Sequence, residues 1–257
     1  MLLVLDVGNT NIVLGVFRAN ALVHQWRLSS ERTQTGDELR LAVRNLLDES
    51  GIQPSAIDGV AIASVVPSMN RQLARAFETL LSAEIRFLNS ETTSIKLDVE
   101  APHTVGADRI SNCIAAYGLH GGPILTLDFG TATSFDLAGK DGRFLGGAIA
   151  PEMQLAARAL TDRAAQLHSV ELRVPSSVIG KNTETNLQAG VVLGYLDLVG
   201  GLIGRFMDEV GGQLKVIATG GKGEIFYRNL ESIHLYDPVL TLKGLQLWWD
   251  HLNAARS

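Results

Sequence analysis

The chain has 257 residues, of which 46 % are hydrophobic and 19 % charged, and its formal net charge at pH 7 is −5. This composition is typical of a soluble globular protein and excludes disordered and fibrous classes. The acidic balance, without a basic stripe, argues against nucleic-acid binding, and the single cysteine, Cys113, excludes a disulfide framework or a cysteine-based zinc site within one chain.

The first part of the chain predicts three strands separated by tight turns, then helices and strands in alternation. Asp37 is the expected N-cap of the first helix, which we expect to end at Gly51. Pro67 is expected in the first turn of the second helix, where its missing N–H does no harm. Apolar runs bounded by turn residues predict strands at 2–6, 11–17, 22–28, 59–66 and 84–88.

The second part repeats this order of elements. The sequence Leu-Asp-Val-Gly at Leu5–Gly8 returns as Leu-Asp-Phe-Gly at Leu127–Gly130, and each copy lies between two strand-like runs. This self-similarity predicts two related lobes, residues 1–115 and 116–257. Strands are expected at 124–128, 133–137, 144–149 and 215–218, and helices from 151, 183 and 240.

One apolar segment, Leu187–Phe206, is about long enough to span a bilayer. Asp197 lies in its middle, where a carboxylate costs roughly 3 kcal/mol by insertion scales, so we predict a buried helix and no membrane association. The N-terminus has no basic region before its apolar run, so we expect no signal peptide and a cytoplasmic protein.

The turn at the end of the first strand carries polar groups suited to phosphate. Asp6 presents a carboxylate at the edge of the sheet, and the N–H groups of Gly8, Asn9 and Thr10 could converge on an anion as a nest. A carboxylate beside a phosphate is best explained by a shared Mg²⁺ ion. The alternative is a plain hairpin in which Asp6 only accepts backbone hydrogen bonds.

A second glycine-rich turn, Thr219–Glu224, follows the strand at 215–218 and begins a helix. It could receive an adenosine ring against its backbone, or it could be an ordinary strand-to-helix turn. Neither a Walker A sequence nor a Gly-x-Gly-x-x-Gly turn is present as a competing phosphate motif.

The segment Val105–Asn112 begins another helix, with Asp108 in its first turn. The helix dipole favours the ionised carboxylate there, which suits either a general base or an N-terminal capping charge. Arg109 could pair with a substrate carboxylate, or simply form a salt bridge. Trp248 and Trp249 near the C-terminus are expected to pack a helix rather than to stack on a ligand.

Taken together, DVGNTN, SVVP, GADR, DFGTATSFD, GGAIAP, IGKNT and TGGKGE occur in the order seen in type III pantothenate kinases, and the chain resembles that family over nearly its whole length. The resemblance implies an α/β protein with a duplicated ribonuclease-H-like, or actin-like ATPase, fold. Two lobes, each a mixed sheet flanked by helices, would have a cleft between them.

The resemblance also implies an activity. The chain would phosphorylate pantothenate to 4′-phosphopantothenate with ATP, the first step of coenzyme A biosynthesis, as a homodimer. It would use ATP, Mg²⁺ and a monovalent cation, K⁺ or NH₄⁺.

Site residues follow from the same resemblance, motif by motif. Asp108 would be the base, and Asp128 would bind the monovalent cation. Asp6 would hold Mg²⁺ through the phosphates. ATP and its phosphates would be bound by Asp6, Val7, Gly8, Asn9, Thr10, Asn11 and Thr131. Pantothenate would be bound by Val99, Gly106, Ala107, Asp108, Arg109 and Thr183.

Two positions depart from the family pattern. Val99 stands where a tyrosine is often found, which puts one substrate contact in doubt. Glu152 stands where the pattern GGxIxPG has its last glycine, and it would either crowd a ligand or begin a helix favourably.

Two other functions are kept open. One is a transcriptional accessory or regulatory protein of the same fold without kinase activity, against which Asp6, Asp108 and Asp128 argue. The other is a different small-molecule kinase or phosphatase of the superfamily, although the single cysteine excludes the cysteine-rich zinc motif of repressor-related sugar kinases.

Overall fold

The computed structural model describes residues 1–31, 33–163 and 170–255, which divide into two compact units. The first unit combines Met1–Gly122 with Leu137–Gly146 and the chain from Val239 onward, and the second combines Pro123–Asp136 with Gly147–Pro238. These units follow from the packing of the residues and include segments that are distant in the chain. They do not test the two lobes expected from the internal repeat, residues 1–115 and 116–257, so that division stays a prediction.

The first sheet has five strands in the order β3-β2-β1-β4-β5. Strand β1 is antiparallel to β2 and parallel to β4, so the sheet is mixed. From Leu2 to His120, the helices and strands are β1 (Leu2–Val7), β2 (Asn11–Arg18), β3 (Ala21–Ser29), α1 (Gly36–Glu49), β4 (Gly59–Ser64), α2 (Pro67–Leu80), β5 (Glu84–Leu88) and α3 (Ala107–His120).

The second sheet also has five strands, in the order β10-β9-β6-β7-β8. Strand β9 is parallel to both β6 and β10. The remaining elements are β6 (Ile124–Phe129), β7 (Ala132–Ala138), β8 (Phe144–Pro151), α4 (Met153–Arg163), α5 (Thr183–Gln188), α6 (Gly194–Val210), β9 (Lys215–Thr219), α7 (Gly223–Asn229), β10 (Leu235–Tyr236) and α8 (Leu240–Ala254).

The two sheets have the same topology. When β1 to β5 are matched in chain order with β6, β7, β8, β9 and β10, the strand order of the first sheet becomes that of the second. Asp6 and Asp128 are each the fifth residue of a six-residue strand, and the two strands share one burial pattern, with the aspartate partly exposed between buried apolar residues. The predicted α/β class and the duplicated pair of mixed sheets flanked by helices are therefore confirmed.

Strand β1 is apolar along its length because both of its faces are covered. Leu3 and Leu5 belong to a core shared with α1 and α2, whereas Leu2 and Val4 belong to one shared with α3 and α8. A strand buried on both faces needs a continuous apolar run rather than alternation, which explains why the first polar side chain is Asp6 at its end.

Helix α8 completes the core of the first unit. Trp248 is fully buried and its indole Nε1 donates a hydrogen bond to the Thr92 carbonyl at 2.8 Å. The ring of Trp249 lies against Gly59, where a Cβ atom would come within 2.1 Å of Cζ2. The expected packing role of the two tryptophans is confirmed.

The N-cap of α1 is Thr35, so the prediction of Asp37 is wrong. Thr35 Oγ1 accepts the Glu38 N–H at 3.3 Å, and the Glu38 carboxylate accepts the Thr35 N–H at 2.7 Å. This reciprocal capping box satisfies two backbone donors at once, which the carboxylate of Asp37 inside the first turn could not do.

A continuous helical run, Thr183–Val210, joins α5 to α6 through π-helical turns at Ala189–Leu193. By length and composition alone, this is the one described helix apolar enough to cross a membrane, and 39 % of its most apolar window is buried. The prediction of a buried helix holds for the side of Val199 and Ile203, whereas Asp197 is exposed.

Candidate active site

The turn after β1 is a tight hairpin between two antiparallel strands. The Gly8 N–H donates to the Asn11 carbonyl at 2.9 Å, and none of Gly8, Asn9 and Thr10 has a positive φ. This bond occupies the Gly8 N–H within the hairpin, and the convergence of the Asn9 and Thr10 N–H groups on an anion stays a prediction. Asn9 and Thr10 are exposed beyond the end of the strand, and Asp6 is partly exposed.

The Gly106–Arg109 segment lies at the same edge of the first sheet as this turn. The Val65 N–H donates to the Val7 carbonyl at 3.0 Å. A Cβ atom on Gly106 would lie 3.4 Å from Val65 Cγ1. Val65 therefore connects the end of β1 to the start of α3, and the carboxylates of Asp6 and Asp108 come from neighbouring elements.

Asp108 lies in the first turn of α3, and its carboxylate folds back onto the helix start. Its Oδ1 accepts the Arg109 N–H at 2.8 Å, and a Cβ atom on Gly106 would come within 2.5 Å of the same oxygen. A side chain at position 106 would displace the carboxylate. The glycine of GADR is thus explained by the space that Asp108 needs.

Burial raises the pKa of the Asp108 carboxyl, while the N–H and the guanidinium of Arg109 lower it in part. The helix dipole alone predicts a fully ionised group, so the direction of the net shift is the opposite of the one expected from the sequence. A partly desolvated carboxylate is a stronger proton acceptor than a solvated one, which suits a general base.

Arg109 and Val99 both lie beside the start of β8. The guanidinium of Arg109 lies over the Phe144 ring. The segment before Val99 is bonded to the same strand, with the Asp98 N–H donating to the Phe144 carbonyl at 2.8 Å. A Cβ atom on Gly146 would be 3.6 Å from Val99 Cγ1. The structure thus brings together two of the residues expected to bind pantothenate, within the first unit.

In the second unit, Asp128 lies against the glycine-rich turn at Thr219–Glu224. Asp128 pairs in register with Thr219 on the parallel strand β9. Gly220 has a φ of +84°, and a Cβ atom there would lie 2.7 Å from Asp128 Oδ1. Only glycine meets both conditions without strain, so the turn and the carboxylate form one edge of the second sheet.

Thr131 is exposed in the hairpin that follows Asp128, in which the Gly130 N–H donates to the Ala132 carbonyl at 3.1 Å. Thr183, by contrast, is exposed at the first position of α5, on another element. The cap of that helix is Asn182, whose Oδ1 accepts the Thr185 N–H at 2.8 Å.

Two polar contacts of the second unit, one buried and one partly buried, were not foreseen from the sequence. The Tyr195 hydroxyl donates to Thr133 Oγ1 at 2.7 Å, and Lys222 Nζ is ion-paired with the Glu152 carboxylate. A cavity of about 100 Å³ elsewhere in this unit, lined in part by Arg158, contains none of the predicted site residues.

The residues at the first turn fit a magnesium–phosphate complex by their chemistry. Over 1–31, 33–163 and 170–255, no three His, Cys, Asp or Glu side chains group as a metal site. Mg²⁺ commonly uses only one or two carboxylates together with substrate phosphates. Asp6 near the end of β1 and the hydroxyl of Thr10 in the turn that follows are oxygen donors of that kind.

The comparisons with known proteins agree with these motifs. Residues 2–205 match the family model described as type III pantothenate kinase. The chain is 44 % identical to the type III pantothenate kinase of Roseiflexus sp. (strain RS-1) over 251 residues, 97 % of this chain and 98 % of the relative. It is 43 % identical to that of Moorella thermoacetica over 97 % of this chain and 99 % of the relative.

Two solved structures share the fold at low identity. One is a conserved putative Baf family transcriptional activator from Campylobacter jejuni, with a TM-score of 0.63 and 17 % identity over 98 % of this chain and 99 % of that one. The other is a putative 2-dehydro-3-deoxygalactonokinase from Sinorhizobium meliloti, with a TM-score of 0.62 and 14 % identity over 98 % and 97 %. At these identities the similarity shows a shared fold alone.

Proposed function

The chain belongs to the type III pantothenate kinase family, and we propose the residues with which it transfers phosphate from ATP to pantothenate. The observation that carries the function is the identity of 40–44 % to pantothenate kinases over 96–97 % of the chain. In the reaction, a hydroxyl oxygen of pantothenate bonds to the γ-phosphorus, the bond to the β–γ bridging oxygen breaks, and ADP leaves.

Asp108 is the base of this reaction. It accepts the hydroxyl proton as the new oxygen–phosphorus bond forms, and the raised pKa that burial gives its carboxyl favours this transfer. The hydrogen bond from the Arg109 N–H fixes the carboxylate, so the hydroxyl meets an oriented acceptor.

The phosphates of ATP bind at the β1–β2 turn. Exposed Asn9 and Thr10 contact the phosphate oxygens, with Val7, Gly8 and Asn11 shaping the hairpin that presents them. Asp6 would hold Mg²⁺ through the phosphates, and the bound ion would supply positive charge that neutralises the transferring group.

Pantothenate binds at the start of α3 and β8. The Arg109 guanidinium pairs with the pantothenate carboxylate, and Gly106 and Ala107 allow the substrate to approach the helix start. Val99, beside Gly146, leaves more room than the tyrosine of the family pattern. Thr183 adds a hydroxyl contact.

The edge of the second sheet binds the rest of the nucleotide. Thr131 contacts ATP, and the Thr219–Glu224 turn receives the adenosine. Asp128 is the ligand of the monovalent cation, K⁺ or NH₄⁺, which suits a carboxylate that lies against the turn at Gly220.

The protein acts as a cytoplasmic homodimer that binds neither nucleic acid nor a membrane. Large apolar side chains are exposed along the second unit, a composition that a partner copy would cover. They are Ile149, Leu155, Leu160, Val174, Val178, Ile179 and Leu198. Light scattering on the purified protein tests the dimer, and Ile179→Glu is expected to shift it toward monomer.

The rival functions are less well supported. The similarity to a putative transcriptional activator is at 17 % identity, which speaks for the fold alone. A coupled ADP-release assay with pantothenate and with a panel of sugars separates the remaining alternatives, and repeating it with and without K⁺ tests the cation.

Replacing Asp108 tests the proposed base. We expect Asp108→Asn to lower kcat by about 10²- to 10⁴-fold with a folded protein, as monitored by circular dichroism. Asp48→Asn, an exposed change on α1 of the same unit, serves as the matched control. Near-normal turnover in Asp108→Asn would remove this residue from the role of base.

A further inference from the structure

A partly buried ion pair joins the start of α4 to the glycine-rich turn of the second unit. Glu152 lies between β8 and α4, and Lys222 is the N-cap residue of α7. Lys222 Nζ is ion-paired with Glu152 Oε1. The pair therefore links two segments that lie 70 residues apart in the chain.

Glu152 is held firmly by its surroundings. It is only 7 % exposed, and its second oxygen, Oε2, accepts the Leu155 N–H at 3.2 Å. A carboxylate just before the first residue of a helix is stabilised by the unpaired N–H groups of the first turn. With both oxygens bonded, the side chain is a fixed anchor for the lysine.

The turn that Lys222 belongs to is fastened at other points as well. Gly220 lies against Asp128, and its carbonyl accepts the Tyr236 hydroxyl at 3.2 Å. A Cβ atom on Gly223 would come within 2.7 Å of the Tyr236 ring. These contacts fix the glycine side of the turn to β6 and β10, and Lys222 is its connection to α4.

We propose that Glu152 is a positioning residue for ATP, which acts through Lys222 to hold the Thr219–Glu224 turn in the conformation that receives the nucleotide. The inference rests on the proposed binding of adenosine at this turn. It also gives the departure from the glycine of the family pattern a role, since a glycine at position 152 has no side chain to make this link.

Two single variants and their combination test the proposal. Glu152→Gln keeps an oxygen for the Leu155 N–H and removes the charge, and Lys222→Met keeps the length of the side chain without its charge. We expect each to raise the Kd for ATP, measured by calorimetry, and the KM for ATP by about tenfold, the size expected for a charged hydrogen bond. The KM for pantothenate is expected to stay within about twofold.

The double variant is expected to have a Kd for ATP no higher than that of either single variant, because the two residues act as a unit. Lys222→Arg, which keeps the charge, is expected to retain most of the ATP affinity and serves if Lys222→Met is unstable. Arg173→Gln, which breaks an exposed pair with Glu184 elsewhere in the second unit, is the matched control and is expected to bind ATP normally.

An unchanged Kd for ATP in both single variants would overturn the proposal, and so would equal losses of affinity for ATP and pantothenate, which indicate general destabilisation. Additive effects in the double variant would also overturn it. Calorimetry with ATP needs no turnover. If the wild-type chain bound ATP but did not phosphorylate pantothenate, the proposed function would fail while the comparison of Kd values still decided the role of Glu152.

Discussion

The guanidinium carbon of Arg109 lies 5.4 Å from the centre of the Phe144 ring. Arginine stacks on aromatic faces through its flat, delocalised charge, and the stacking fixes the plane in which its N–H groups point. Phe144 is itself fully buried and bonded to Lys96 and Asp98 through its backbone. The stacking thus orients Arg109 without a ligand, as the proposed pairing with a substrate carboxylate requires.

We expect Arg109→Lys to raise the KM for pantothenate by about tenfold or more, because an ammonium can neither stack nor pair through two parallel bonds. Phe144→Leu is expected to raise the KM for pantothenate as well, by a smaller factor. Arg143→Lys, on the hairpin beside Asp98, is the control. Steady-state kinetics at saturating ATP measures the effect, and an unchanged KM in Arg109→Lys would contradict the carboxylate contact.

The pH dependence of turnover should carry the signature of a buried base. Burial raises the pKa of the Asp108 carboxyl above its ordinary value of 3.8. The base works in its deprotonated form, so kcat/KM for pantothenate falls as the pH drops through the raised pKa. We expect the acid limb to lie above the ordinary aspartate range and to be absent from the residual activity of Asp108→Asn.

The same shift predicts an effect of Asp108 on stability. A carboxyl whose pKa is higher in the folded than in the unfolded chain binds its proton more tightly when folded, so its ionisation lowers the free energy of unfolding. The cost is absent below pH 3.8 and complete above the raised pKa. Asp108→Asn is therefore expected to be more stable than the wild type in urea unfolding at pH 7, with the difference disappearing in acid.

Tyr195 and Thr133 share a buried hydrogen bond between α6 and β7. Thr133 is fully buried, so removing the Tyr195 hydroxyl takes a hydrogen-bond partner from Thr133 Oγ1, an atom that water cannot reach. Tyr195→Phe is expected to lower the free energy of unfolding by about 1–3 kcal/mol. Tyr195→Phe combined with Thr133→Val is expected to lose less than the sum of the single changes, and full additivity in urea unfolding would mean that the bond does not form.

The capping box of α1 makes a local prediction about stability. Thr35→Ala removes the acceptor for the Glu38 N–H and is expected to lower the free energy of unfolding by about 1 kcal/mol. Asp37→Ala removes an exposed carboxylate whose Oδ1 lies 3.6 Å from Arg40 Nε, and it is expected to lower the free energy of unfolding by less. Thermal unfolding of the two variants side by side is sufficient, and a larger loss in Asp37→Ala would favour the cap expected from the sequence.

Much of the fold could be read from turn residues and apolar runs, because both are local. Strand β5 has the predicted bounds, and the repeated Leu-Asp-x-Gly correctly indicated two sheets of one topology. Strand β10 was missed, since its two residues carry no alternation. The cap at Thr35 was misassigned although Thr35 and Glu38 have the spacing of a capping box.

The sequence supplies the residue types of the candidate site, whose roles stay predictions, but it does not supply the geometry of that site. The sequence could not tell that the Gly8 N–H is used by Asn11, because hairpin hydrogen bonding depends on the dihedral angles of the turn. Nor could it pair Glu152 with Lys222, since the contact depends on how α4 and the turn after β9 come together. The desolvation of Asp108 likewise outweighs the helix-dipole effect only once the surrounding core is known.

The membership of α8 in the first unit has a consequence for how the chain matures during synthesis. Trp248 completes a core whose other residues, such as Leu2 and Val4, are synthesised long before it. That core therefore stays open until α8 has been translated, and a chain that stops short of α8 would expose apolar surface for chaperones or proteases to recognise.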